Sequence, residues 1–114
     1  MTDCLFCRIA SGEVPGRLLY QDDRVVAFRD INPQAPIHIL VIPRRHIASL
    51  AEAQAEDEGL MGHLLLTGAQ VARQAGIAND GYRTVINTGE LAGQTVFHIH
   101  VHILGGRAMR WPPG

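Results

Sequence analysis

The sequence predicts an α+β fold, an antiparallel sheet of about five strands with one long helix and a short N-terminal helix. Three observations carry this. Short apolar runs separated by turn residues fill the first half and the last third of the chain. One stretch between them, from about Ala55 to Ala75, changes to a helical period. The links between successive strands are too short for parallel crossovers, which need a dozen or more residues.

In chain order, Cys4 to Ala10 forms a short helical turn closed by Ser11 and Gly12. Arg17–Tyr20 and Arg24–Phe28 flank the Gln21-Asp22-Asp23 turn and read as a hairpin. Asn32-Pro33-Gln34-Ala35-Pro36 is a loop, because no strand continues through it. His38–Ile42 is a nearly continuous apolar strand ending at Pro43, as expected of a central position. In the long helix, Leu60, Leu64 and Val71 stack with Met61, Leu65, Ala69 and Ala72 into one apolar stripe. Glu56, Asp57 and Glu58 suit the positive end of its dipole, and Gly76 ends it. Tyr82–Asn87 is a strand, Gly89–Gly93 a flexible loop, and Val96–Leu104 the last strand. Gly105-Gly106 stops it, and the Trp111-Pro112-Pro113-Gly114 tail is irregular.

The 114 residues fit one domain, 1–114. A formal net charge of −1 gives no broad attraction to nucleic acid or to a membrane surface. The N-terminal stretch lacks a secretory pattern and no apolar run approaches a bilayer span, so a cytoplasmic protein is expected. In that compartment the Cys4–Cys7 pair reads as a metal or redox pair and not as a structural disulfide.

Phe97-His98-Ile99-His100-Val101-His102-Ile103 is the most informative stretch. On a strand, His98, His100 and His102 share one face, roughly 6.6 Å apart along the chain, while Phe97, Ile99, Val101 and Ile103 share the other. A merely solvated polar face fits such regular alternation poorly. A metal centre and a nucleophile with acid–base partners both fit, and spacing alone does not separate them.

These residues, continued by Leu104, resemble the histidine-triad signature, in which three histidines alternate with apolar residues. The similarity extends over Gly93-Gln94-Thr95-Val96, Gly105-Gly106-Arg107, Asp30-Ile31-Asn32-Pro33-Gln34-Ala35-Pro36 and His38 through His46, nearly the whole chain. The WPPG ending resembles the Hint branch, the purine nucleoside phosphoramidases. The resemblance implies a nucleotide-binding hydrolase that cleaves the P–N bond of AMP-amine phosphoramidates through a nucleotidyl-histidine intermediate.

By that resemblance His100 is the nucleophile, His102 contacts the α-phosphate, and His38 buttresses and orients the nucleophile. Asn87, Gln94 and Thr95 contact the phosphate or the leaving group, and the loop ending at Gly93 brings backbone N–H groups close to the phosphate. Asp30 holds the ribose hydroxyls, while Leu5, Phe6, Ile9 and Ile31 sandwich the purine of an AMP- or GMP-type substrate. Trp111 reaches toward the partner subunit of an implied homodimer and influences substrate choice. The family further implies a structural Zn²⁺ on Cys4, Cys7, His46 and His98, a closed four-ligand shell, with no catalytic cofactor. His63 has no identifiable partner, and Arg44, Arg45, Arg107 and Arg110 read as solvated. Competing readings are a dinucleoside polyphosphate hydrolase, a nucleotide-binding regulatory module and a catalytic metal oxidase on the His-x-His ligands.

Overall fold

The computed structural model describes residues 3–15 and 17–114, so Met1, Thr2 and Gly16 lie outside it. Among the described residues the elements run α1 (Leu5–Ala10), β1 (Leu18–Gln21), β2 (Val25–Arg29), β3 (Ile37–Pro43), α2 (Glu58–Gln74), β4 (Tyr82–Val85) and β5 (Val101–Gly105), with short 3-10 turns at Leu50–Glu52, Ala55–Asp57 and Glu90–Ala92. The strands form one antiparallel sheet in the order β1-β2-β3-β5-β4, as the α+β expectation requires. The last strand is thus inserted between β3 and β4. None of the helices is long and apolar enough to cross a membrane.

Alternation along the strands gives the sheet two apolar faces. Val25, Ala27, Ile39, Val41, Val101 and Ile103 pack with Leu64, Val71, Ala72 and Ile77 around α2. Val26, Phe28, Leu40 and Ile42 point the other way and pack with Phe6 and Ala10 of α1. Being covered on both faces, β3 needs the uninterrupted apolar run that marks it as central in the sequence.

The predicted stripe of Leu60, Met61, Leu64, Val71 and Ala72 faces the sheet, and the helix departs from the reading at Leu65. Thr67 and Gly68 are buried with Leu64, Val71 and Ala72, whereas Leu65 and Leu66 are exposed. Gly68 is there because a Cβ would stand 2.8 Å from Ile103 Cδ1, so only a bare backbone lets α2 approach β5 this closely. The C-terminus is a Schellman motif. Gly76, at φ +81°, donates to the Arg73 carbonyl and Ile77 to the Ala72 carbonyl, which caps the last turn and turns Ile77 into the core.

The last strand is shorter than the sequence implies. Pairing begins at Val101, and residues 96–100 form an irregular segment joined to the 44–49 stretch by Ile99 N–H donating to the Ile47 carbonyl at 2.7 Å. The strict two-face alternation therefore fails at its start. Phe97 is exposed, whereas His98, Ile99 and His100 are all buried.

Ile77 and Gly105 make the tightest contact between the end of α2 and the sheet. A Cβ at Gly105 would lie 2.6 Å from Ile77 Cδ1 and 3.0 Å from its Cβ, the latter atom fixed to the backbone. Gly105→Ala is expected to destabilise the fold by roughly 1–3 kcal/mol, as overpacking does. Ile77→Ala in the same chain should return part of that loss, read from urea unfolding in a double-mutant cycle.

Candidate active site and metal centre

The face opposite α2 carries the histidines. His38 shares the side of β3 that holds Leu40 and Ile42, and Leu40 is paired with His102 across β3–β5. His38 and His100 are each fixed by a main-chain group whose hydrogen-bonding role admits no choice, and His102 by His38. The Gln34 amide can only donate, and it does so to His38 Nδ1 at 3.0 Å. A neutral His38 therefore carries its proton on Nε2, which donates to His102 Nδ1 at 2.9 Å. His102 in turn carries its proton on Nε2, a buried atom without a protein partner among the described residues. His100 Nδ1 lies 2.8 Å from the His98 carbonyl, which can only accept, so the lone pair of His100 sits on Nε2. The His100 and His102 rings stand edge to face, 4.9 Å apart. The site thus sets an unprotonated imidazole nitrogen of His100 in the neighbourhood of the His102 N–H donor.

In the structure the side-chain hydrogen bond of His38 Nε2 runs to His102. Burial pushes the His38 imidazole below its ordinary value against the opposing pull of Asp30, whose Oδ2 is 3.5 Å away. Burial, followed by the charges of His100 and His38, takes His102 down to about 4. Both are neutral at pH 7, as a donor relay needs. Asp30, His38 and His102 also bring three ligand-type atoms within 4.8 Å of one another. With the amide on its Nδ1 and a proton on its Nε2, His38 has no lone pair to give a metal, so this trio is a hydrogen-bonded group.

A second cluster lies beside the first. Cys4, Cys7, His46 and His98 have one ligand atom each within 4.8 Å of the others. His98 Nδ1 is 3.3 Å from Cys4 Sγ, 3.4 Å from Cys7 Sγ and 3.2 Å from His46 Nδ1, and Cys7 Sγ is 3.4 Å from His46 Nδ1. A tetrahedral zinc shell with Zn–S of about 2.3 Å and Zn–N of about 2.0–2.1 Å requires S···N edges of about 3.5 Å and N···N edges of about 3.3 Å. The donor set and its spacing fit that group. His98 Nε2–H donates to the Pro43 carbonyl at 2.7 Å, leaving its lone pair on Nδ1, toward the cluster.

The remaining expected residues separate into three groups. Asp30 stays close, its Oδ1 accepting from the Asn32 amide. Phe6 is buried and packs edge to face on His100 at 5.0 Å and on Phe28 and His98, so it supports the His100 ring. Leu5 and Ile31 are the exposed apolar chains of the expected purine set, and Ile9 is half-buried. Gln94 is buried, and its carboxamide is engaged with backbone: Oε1 accepts from Gly89 and Nε2 donates to the Ala48 and Val96 carbonyls. It holds the loop in place of reaching outward. Gly93 closes that loop at φ +91°, Thr95 is exposed and Asn87 is half-buried beyond β4. Trp111 stands in the open, with the Arg83 guanidinium 6.0 Å from its ring.

Four polar side chains differ from their sequence reading. His63 pairs with Asp22 at 2.6 Å, where Tyr20 also donates, pinning α2 to the β1–β2 turn. Arg44 donates to the Asp22 and Ala10 carbonyls and to Gln21 Oε1. Arg45 pairs with buried Asp57 at the head of α2. Arg107 donates twice to the Gln34 carbonyl. These partners of the four side chains lie at least twelve residues away, and three of the arginine acceptors are main-chain carbonyls, which carry no side-chain signal.

Comparison with known proteins places this geometry. The HIT domain pattern matches residues 11–109, so the chain belongs to the HIT family, the histidine-triad proteins. An uncharacterized HIT-like protein of Synechococcus elongatus is 56% identical over 112 residues, covering 98% of this chain and 97% of its own. A HIT family hydrolase from Legionella pneumophila shares the fold with a TM-score of 0.96 and 46% identity, over 98% of this chain and all (100%) of that one. A Zn-bound histidine triad family protein from Mycobacterium smegmatis matches at a TM-score of 0.78 and 36% identity, over 92% of this chain and 76% of its own.

The depressed histidines set a pH dependence. Unfolded His102 takes up its proton near pH 6.5 but the folded residue only near 4, so the unfolded state binds more protons between those values. Stability is therefore retained above about 6.5 and lost as pH falls toward 4. Urea unfolding from pH 4 to 8 should show that slope, and His102→Gln, which cannot titrate, should flatten part of it.

Proposed function

We propose that the chain is a nucleotide-binding hydrolase that cleaves the P–N bond of purine nucleoside 5′-phosphoramidates, as in the Hint branch that its WPPG ending resembles. One observation supports this most: His100 keeps an Nε2 lone pair beside the orphaned Nε2–H of His102. In this reading His100 Nε2 attacks the α-phosphorus, the P–N bond breaks, and the amine leaves with the proton of the Thr95 hydroxyl, which the water of the second step restores. His102 donates to a phosphate oxygen as charge builds on it. Water then hydrolyses the nucleotidyl-His100 bond, giving AMP or GMP and restoring the imidazole. Asp30 accepts from the ribose hydroxyls, Ile31 and Leu5 cover the base, and Asn87 and the Gly93 loop lie along the phosphate. The likeness to the HIT family hydrolase of Legionella pneumophila supports the class.

Cys4, Cys7, His46 and His98 would hold Zn²⁺, which would tie α1 to the segments after β3 and before β5 and leave no open coordination position. The Zn-bound mycobacterial relative supports this site. The cytoplasm, where thiols stay reduced, suits such a site. A homodimer, in which Trp111 borders the partner's substrate site, completes the reading.

AMP release from adenosine 5′-phosphoramidate, with a diadenosine polyphosphate in parallel, tests the activity. Rapid P–N hydrolysis with slow polyphosphate cleavage is expected, and the reverse preference would move the chain to the polyphosphate branch. His100→Asn should still bind AMP but turn over at least about 10³-fold more slowly, and near-normal turnover would remove His100 as nucleophile. Protein purified without added metal should hold close to one zinc per chain. Cys4→Ser should lose most of it, whereas wild-type protein free of zinc would rule out the site.

A further inference from the structure

The Asn32–Pro36 loop supplies the amide from which the histidine relay starts, and the turn after β5 grips that loop. Arg107 Nε and Nη2 donate to the Gln34 carbonyl at 3.2 and 3.0 Å, and its Nη1 reaches the Ala108 carbonyl at 3.2 Å. Beside it, a Cβ on Gly106, at φ +89°, would stand 2.9 Å from Pro36 Cβ, so the two turns are packed together. Pro33 and Pro36 each fix one φ angle, and Pro36 also confines Ala35. Gln34 lies between them and is the residue whose backbone keeps its freedom. Its amide meets His38 Nδ1 at 3.0 Å. Its carbonyl, on the other side of the same Cα, is the group Arg107 holds.

We infer that Arg107 is a positioning residue for the active site: it pins the Gln34 carbonyl, and thereby holds the Gln34 amide on His38 and Asp30 in its place beside the pair. The contact crosses 73 positions of sequence, linking the segment after His102 to the loop that orients His102. A guanidinium suits the task because two of its N–H groups converge on one oxygen and keep their charge at every working pH.

Loss of the clamp has a chemical consequence at His38. While the amide donates to Nδ1, that nitrogen cannot accept a proton. The charged and titratable groups facing the ring are Asp30, with Oδ2 at 3.5 Å, and His102, bonded through Nε2, with His100 beyond it. Once the amide drifts, Nδ1 is open, and Asp30 favours the imidazolium. The carboxylate is then drawn to His38 and away from a ribose.

The kinetic half of this inference rests on the proposed hydrolase activity, so the deciding measurement is NMR titration of His38, which needs none. Arg107→Met keeps the aliphatic stem of an exposed side chain and removes its donors, so the fold should survive. Its His38 midpoint is expected to rise by about half to one pH unit, the scale of one ordinary hydrogen bond. Arg107→Lys, which retains one donor, should return most of that shift. If the chain hydrolyses phosphoramidates, the acid limb of kcat should move up with it in Arg107→Met. An unchanged His38 midpoint in folded Arg107→Met overturns the role of Arg107 whether or not the protein hydrolyses phosphoramidates. A raised midpoint in a protein without that activity supports the role of Arg107 and refutes the hydrolase reading alone.

Discussion

The placement of His98 is the constraint on which both clusters depend. It is fully buried at 0% exposure, and three of its groups are committed in different directions. Nε2–H donates to the Pro43 carbonyl at the end of β3, Nδ1 faces the two thiols and His46, and its own carbonyl accepts from His100 Nδ1. Buried polar groups left unpaired cost free energy comparable to a lost hydrogen bond or more, so these commitments support one another. Rotating the ring to suit one cluster would strip the Pro43 bond and disturb the other. The irregular backbone over residues 96–100 follows from this. A regular strand would alternate His98 and Ile99 across the sheet, whereas here both are buried, and Ile99 N–H is bonded to Ile47.

The two-faced sheet explains where chemistry is possible. One face is sealed by α2 at backbone distance, through Gly68 on Ile103 and Ile77 on Gly105. The other face has only the six residues of α1 as cover, and Phe6 fills the space against the His98 and His100 rings. The short helix thus does two things at once. Its first turn presents Cys4 and Cys7 to the metal-type cluster, and its aromatic residue packs against His100.

Much of this was legible in the sequence because it depends on local periodicity. The uninterrupted apolar run of β3, the 3.6-residue stripe of α2, the Gly76 stop and the Cys4–Cys7 spacing each follow from short-range patterns. The four ligands of the second cluster were implied by family resemblance and are found together. What escaped depends on distant backbone. That Gln94 turns inward to the Gly89, Ala48 and Val96 main chain and that Arg44 and Arg107 bind carbonyls carry no residue-type signal. His63 looked solitary because its partner, Asp22, is 41 positions away on a turn whose carboxylate also caps the Arg24 and Val25 amides. Burial raises the Asp22 carboxyl, but those amides, His63 and Tyr20 together hold it well below the usual carboxylate range.

The histidines share one design rule. His98 and His100 are oriented by carbonyls and His38 by an amide, so three of the four tautomers are set by main chain and the fourth, His102, is set by His38. A main-chain partner cannot change its role with pH, as a carboxylate or another imidazole can. It also cannot be deleted by exchanging a side chain. The direction of every proton in the site is therefore a property of the fold, and what remains adjustable is how firmly the loops carrying those main-chain groups are held. The 96–100 segment is held by Ile47 and Gln94, and the Asn32–Pro36 loop by the turn after β5. In such a site, substitutions far from the reacting atoms act through loop placement, which is why residues without chemistry of their own can govern the chemistry of their neighbours.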